Sequence, residues 1–228
     1  MKDFSIGAIP RGLLAAWLLT VSALSSAATY TPDVGEFDGT NSMSFEPIPQ
    51  FQLAYGGTME FWVVPDWTED PGYDPVIICN AGPEGASYLI AMLRDRDGIA
   101  IAVGEQEDVV AFDFTDGRLH HVAVSQYEDG TVVYIDGQVA GTSELSFEVR
   151  PSTGVWVGSI DGDNNQFRGA IAGMRIWGVV VEQQTLVDFA LKDVFSDQHP
   201  NLANLAAISD FNNEEFLFAE IDLEETEQ

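Results

Sequence analysis

An all-β sandwich or barrel is the fold class that this chain predicts, and three observations predict it. Strand-like runs recur every ~8–12 residues, the spacing of all-β domains. Four Asp-Gly dipeptides, Asp97-Gly98, Asp116-Gly117, Asp129-Gly130 and Asp136-Gly137, punctuate them; Gly takes positive φ freely and Asp tolerates it, so each is a turn signal. Only one stretch, Glu182–Val194, carries a helical stripe, with Leu186, Phe189, Ala190 and Val194 on one face.

The strands follow in order. Met59–Val64 is an apolar run closed by Pro65, and Pro75–Asn80, Tyr88–Leu93, Gly98–Val103 and Val109–Phe114 are each bounded by Gly, Pro or Asp. Alternation across a strand places His120, Val122 and Val124 on one face and His121 and Ala123 on the other. It likewise sets Val133 and Ile135 against Val132 and Tyr134. Apolar groups on both faces are expected where a sheet is covered on two sides. Phe167–Trp177 reads as a long strand ending in Arg-Ile-Trp, and Phe216–Leu223 is suited to an edge strand.

Residues 1–28 read as a signal peptide. Lys2 and Arg11 bracket a basic start, Leu13–Leu24 is a short apolar run, and Ser25-Ser26-Ala27-Ala28 offers small residues for cleavage. The run is shorter than the ~20 residues that a spanning helix needs. The expectation is a secreted protein, extracellular or periplasmic, with one domain at 29–212, an acidic tail or edge strand at 213–228, and no membrane span after signal cleavage.

Acids outnumber bases 37 to 9, for a net charge of −28. Such a surface repels nucleic-acid phosphates and anionic lipid headgroups, which argues against both as partners. Solubility in a salty medium and binding of hard cations are the two readings of the excess. Cys79 is the single cysteine, so no intramolecular disulfide is available; in the apolar run PVIIC it reads as a buried thiol. One cysteine, and three histidines of which none stand at i, i+4, leave little material for a zinc site.

The ordered series of strands resembles the laminin-G-like, or concanavalin A-like, jelly rolls, in particular the bacterial laminin-G type related to pentraxins. Phe37-Asp38-Gly39 with Ser42–Phe45, then Thr58–Val63, Gly117–Val124, Val133–Gly137, Val157–Ile160 and Phe167–Trp177 carry the likeness, which spans Val34 to Phe211. The resemblance implies a two-sheet antiparallel jelly-roll sandwich with one short C-terminal helix. It also implies binding of glycans or extracellular proteins, often with calcium at the rim. The fold hosts enzymes too, so fold alone does not decide function.

Three sets of residues are candidates for chemistry. Asp161, Asp163, Asn164 and Asn165 form an oxygen-rich, Gly-containing loop of the kind that holds calcium, or else a plain turn. Trp67, Tyr73 and Asp74 lie in the loop DWTEDPGYDP, where rings stack on sugar C–H faces and carboxylates accept from hydroxyls; the alternative is a hydrophobic plug. Trp62, Trp156 and Trp177 lie within strands and are assigned to the core. Glu220, Asp222 and Glu224 form E-x-D-x-E, whose period-2 spacing sets three carboxylates on one strand face, as in jelly-roll β-glucanases. The motif sits in an acidic terminal stretch where chance matches are easy. No nucleophile elbow, P-loop or dinucleotide fingerprint is present. His120 and His121 are neighbours on a strand and face apart, so they do not act as a catalytic pair. The leading expectation is a non-catalytic lectin-like module. A jelly-roll glycoside hydrolase and a structural surface or adhesion protein are the alternatives.

Overall fold

Strands that are largely buried, many on both faces, build two sheets. The computed structural model describes residues 31–47 and 49–218, and its strands lie in the compact unit that begins at Pro32. In chain order they are β1 (Val34–Asp38), β2 (Met43–Phe45), β3 (Gly57–Pro65), β4 (Val76–Ala81), β5 (Tyr88–Met92), β6 (Gly98–Val103) and β7 (Gln106–Ala111). β8 (His120–Tyr127), β9 (Gly130–Ile135), β10 (Gln138–Ser143), β11 (Gly154–Val157) and β12 (Arg168–Trp177) follow. One α-helix among the described residues, α1 (Gln183–Phe189), precedes β13 (Leu205–Asp210) and β14 (Glu215–Phe218).

The eight-stranded sheet runs β10-β9-β8-β3-β12-β13-β14, and β1 also pairs with β12. The six-stranded sheet runs β2-β11-β4-β5-β6-β7, and the strand pairs are antiparallel throughout. This is the two-sheet sandwich that the resemblance implies. β12 organises the larger sheet. β3 lies along one edge, while β1 and β13 share the other, β1 on Arg168–Ala172 and β13 on Arg175–Trp177. At the junction the register slips, and Gly173 takes φ 55°. Ile171 before the slip and Met174 and Ile176 after it all enter the main core.

That core lies between the sheets and includes Phe61, Val63, Ile78, Ile90, Ile101, Val122, Val124, Val133 and Ile135. Ala123 and Tyr134 face the other way, into a second cluster with Trp177, Val181, Leu186 and Val194. The parity expected for β8 and β9 therefore holds, and the reason for apolar groups on both faces is a covering segment that includes α1. The Asp136-Gly137 turn between β9 and β10 has φ of 51° and 75°, both left-handed, as a two-residue hairpin turn demands. At Asp97-Gly98 the left-handed residue is instead Arg96, at φ 71°, and Gly98 opens β6.

Two boundaries move. α1 ends at Phe189, well short of Val194. The carbonyls of Phe189 and Lys192 accept from the Arg175 guanidinium, and that of Ala190 accepts from Trp62 Nε1, so side chains replace the next helical donors. The strand expected at Val109–Phe114 is Gln106–Ala111. In the C-terminal stretch, β14 pairs with β13, as the edge-strand reading has it, and Phe216 packs edge-on against Phe45 and Phe51. Residues 1–28 and Glu220, Asp222 and Glu224 lie outside the described residues. The strand that leads toward the three acids, β14, is the last of its sheet.

Candidate functional site

At one rim of the sandwich, three segments meet around a cleft of about 210 Å³. They are the β1–β2 turn, the β3–β4 loop and the start of β12. Each is shaped by local hydrogen bonds that the sequence supplies. In the first turn, Asp38 Oδ1 accepts from the Thr40 amide at 2.9 Å and the Thr40 hydroxyl at 2.7 Å, and Gly39 sits at φ 83°. In the second, Pro65 ends β3, Asp66 Oδ1 accepts from the Thr68 amide at 3.0 Å, and Asp70 Oδ1 accepts from the Gly72 amide at 2.9 Å.

Arg168 joins these turns. Its Nε lies 3.1 Å from Asp66 Oδ2, and its Nη1 lies 2.9 Å from Glu69 Oε2. All three side chains are partly exposed. Burial pushes the Asp66 carboxyl up, but the Thr68 hydrogen bonds and the Arg168 charge outweigh it and leave the pKa lowered. The Thr40 hydrogen bonds lower that of Asp38.

Trp67 and Tyr73 both line the cleft, half-buried. Trp67 Nε1 donates to the Phe114 carbonyl at 3.2 Å, and the Arg96 guanidinium carbon lies 5.4 Å from the ring centroid. Part of the ring packs on the main core. The Tyr73 hydroxyl donates to the Gln166 carbonyl at 3.3 Å. Each aromatic is therefore held at its polar tip and presents apolar ring to the cleft, which combines the plug and the platform readings in one residue. Asp74 is placed differently. It is not part of the lining; its carboxylate accepts from the Arg94 amide at 2.7 Å and braces the loop from behind.

The loop of Asp161, Asp163, Asn164 and Asn165 closes on itself. Asp161 Oδ1 accepts from the Asp163 and Asn164 amides, and both Asp161 oxygens accept from Asn164 Nδ2, at 3.0 and 2.8 Å. Asn165 Nδ2 donates to the Asp74 carbonyl. Gly162, at φ 98°, lies against Trp156, where a Cβ would come within 2.9 Å of the ring. Among the described residues no three His, Cys, Asp or Glu side chains converge. As folded, these hydrogen bonds close the loop as a turn.

A second polar cluster lies beneath α1 and was not foreseen. Glu60, 2% exposed, places Oε2 2.9 Å from His121 Nε2. Its Oε1 lies 3.3 Å from Arg175 Nη1 and accepts from Trp177 Nε1 at 2.9 Å. Burial raises the Glu60 pKa, yet the His121 hydrogen bond and the Arg175 charge more than reverse it and hold the group well below the usual carboxylate range. His120, on the other face, contacts Asp136 Oδ2 at 2.8 Å and Asp116 Oδ1 at 3.1 Å. The two histidines thus work separately, each bracing a different element. Of the strand tryptophans, Trp177 is fully buried, but under the helix and not between the sheets; Trp62 and Trp156 are half-buried, not core. Cys79 is buried and its pKa is pushed up to about 12, chiefly by desolvation, which makes it an unreactive thiol.

Sequence reasoning found the two aromatics of the cleft and missed Asp66, Glu69 and Arg168. The available signal was a lone Arg opening the final long strand of an acid-rich chain. No helix among the described residues is long and apolar enough to cross a membrane.

A family model described as the concanavalin A-like lectin/glucanases superfamily matches residues 37–186. No curated protein sequence matches the chain. Among solved structures, the chain is similar to a candidate carbohydrate-binding protein from Bacteroides ovatus, with 20% identity and a TM-score of 0.61 over 83% of this chain and 56% of that one. It therefore spans little more than half of that protein. It is also similar to the CBM40 module of a Ruminococcus gnavus sialidase bound to α2,3-sialyllactose, at 12% identity and TM-score 0.57 over 71% and 98% of the two chains. A heptameric pentraxin from Limulus polyphemus is 15% identical at TM-score 0.54, over 71% and 82%. At these identities the likeness is one of fold.

Proposed function

This chain belongs to the concanavalin A-like lectin/glucanase superfamily, and from that premise we propose that it is a secreted, non-catalytic, lectin-like module that binds carbohydrate in the rim cleft. The observation that carries the reading is one juxtaposition. The half-buried rings of Trp67 and Tyr73 share a cleft with the Arg168–Asp66–Glu69 fork. A pyranose has an apolar C–H face and an equator of hydroxyls. The rings supply a surface for the first, and the fork supplies donors and acceptors for the second. The cleft is smaller than the ~300–1,000 Å³ of drug-sized pockets and suits one sugar ring at the end or edge of a glycan. The carbohydrate-binding proteins of the same fold support this choice of ligand class.

Chemistry at the cleft is disfavoured by its own electrostatics. Glycoside hydrolysis needs one carboxyl kept protonated, with its pKa raised, to act as general acid. Asp66 is driven the opposite way, and both Asp66 and Glu69 are engaged by one guanidinium.

The test is a glycan array probed with wild type and Trp67→Ala. Removing an aromatic anchor typically costs ~2 kcal/mol or more, so affinity for any bound glycan should fall by roughly thirtyfold while the far-UV spectrum is kept. Undiminished binding by Trp67→Ala would move the site elsewhere on the domain.

A further inference from the structure

We propose that the rim cleft selects uncharged and amine-bearing saccharides and rejects acidic ones such as sialic acids and uronates. This rests on the reading of the cleft as a saccharide site and adds the charge class of its ligand.

Asp38, Asp66, Glu69 and Asp70 face the cleft against a single cation, Arg168. Arg94 lies 3.6 Å from Asp70 and offsets it in part, so the surplus at the cleft remains negative. Two of these acids cannot readily turn away. Asp66 and Asp38 each close a turn through backbone amides, and the same hydrogen bonds favour their charged forms.

An acidic sugar requires a cation that can take its carboxylate. None of the three arginines near the cleft is unengaged. Arg168 has Nε and Nη1 on Asp66 and Glu69. Arg94 donates from Nη1 to the Gly72 carbonyl and pairs with Asp70. Arg96 lies over Trp67 and donates from Nη2 to its carbonyl at 3.3 Å. A ligand carboxylate could reach Arg168 only beside the two resident carboxylates that already offset its charge, and that like-charge approach is the repulsive element that specificity uses. A hydroxyl has no such conflict, because it donates to carboxylate lone pairs that the guanidinium leaves open. An ammonium on the ring gains from the surplus of acids. The net charge of −28 adds a long-range field of the same sign.

The experiment uses the full-length protein on an array of neutral, 2-amino-2-deoxy, sialylated and uronic glycans, at low and high salt, beside Trp67→Ala and the double variant Glu69→Gln/Asp70→Asn. Binding is expected on uncharged and amino glycans, with the acidic counterpart of any bound glycan at least ~10-fold weaker. High salt should narrow that gap, because screening weakens the repulsion. The double variant should narrow it too, a change in selectivity that loss of fold would not produce. Preferred binding of acidic glycans that is lost in Trp67→Ala would overturn the charge selection and leave the saccharide site standing. Binding of any glycan that is indifferent to Trp67→Ala, or no glycan binding by the wild type, would overturn the site and the selection together.

Discussion

Arg168 and Arg175 lie on one strand, and each is paired with carboxylate. The register slip between Ala172 and Arg175 lets both point away from the main core. Arg168 opens β12 at the rim, where its side chain and that of Asp66 are 39% and 38% exposed. Arg175, near the other end, is 2% exposed, as is its partner Glu60. Water makes the difference between them. At the rim, solvent competes for every donor and acceptor, so the ion pairs contribute little to stability, about 0–1 kcal/mol each. Under the helix, no water replaces a lost partner. Removing one member leaves a stranded charge at a cost of about 3–5 kcal/mol, so the cluster behaves as a lock. It holds β3, β8 and β12 together and draws the end of α1 onto the sheet through the carbonyls of Phe189 and Lys192. The same residue types form a solvent-exposed pair at one end of the strand and a buried lock at the other.

The largest expected effect is at the lock. Glu60→Ala should destabilise by about 3–5 kcal/mol, lowering Tm by roughly 10 °C for a domain of this size. Thermal unfolding followed by circular dichroism measures it, and glycan binding should persist below the new midpoint. Loss of binding without loss of stability would exchange the roles of the two regions.

Next in size is a pH effect confined to the buried side. His199 stacks on Trp177 at 4.1 Å, and its Nδ1 accepts from the Asn201 amide at 3.0 Å. Desolvation lowers its pKa to about 4 from an ordinary 6.5, with Arg175 adding to the fall and Glu60 opposing it. The unfolded chain therefore binds this proton more readily than the folded one. The stability contributed by neutral His199 is fully present above pH 6.5 and is lost as pH falls toward 4. Glu60, lowered in the folded state, loses its own contribution only below its unfolded value of 4.5. Between pH 6.5 and 5 the His199 loss should be about 2 kcal/mol, at ~1.4 kcal/mol per pH unit. Denaturant unfolding across that interval should show the slope, and His199→Phe should flatten it. An unchanged slope in His199→Phe would assign the effect to other groups.

At the rim the expected stability effects are small. Arg168→Ala should change stability by less than ~1 kcal/mol, a shift of a few degrees in Tm, while weakening glycan binding. A drop as large as that of Glu60→Ala would mean that the rim pair is structural after all. Smallest is the response to calcium. With both Asp161 oxygens accepting from Asn164, millimolar calcium and magnesium should raise Tm equally at fixed ionic strength, through screening alone. A calcium-specific rise that Asp161→Ala abolishes would instead place an ion at this loop.

The sandwich was legible in the residues because its determinants are local. Asp136-Gly137 specifies a tight hairpin through backbone conformation, and the alternation in β8 and β9 sorts Val122, Val133 and Ile135 to the core from Ala123 and Tyr134. Trp67 and Tyr73 were identifiable for the same reason, as large rings in a polar, Pro-Gly loop. The rest depended on contacts between residues far apart in the chain. Arg168 meets Asp66 across 102 positions, and Arg175 meets Glu60 across 115. Simple alternation would seat Arg175 on the face of Ile171; the slip at Gly173 turns it outward, and no local pattern announces a slip. The helix end was misplaced because its last carbonyls are taken by Arg175 and Trp62. Asp74 and Asp161 were singled out by type, and only the fold shows that Asp74 Oδ1 accepts from the distant Arg94 amide and Asp161 Oδ1 from the amides of Asp163 and Asn164. Sequence alone determined the strands, their turns and the sign of the surface, which follow from backbone preference and charge count. Tertiary structure decided which charged groups were desolvated together and which stayed at the rim with water, because desolvation depends on what packs against a group and not on what adjoins it in the chain.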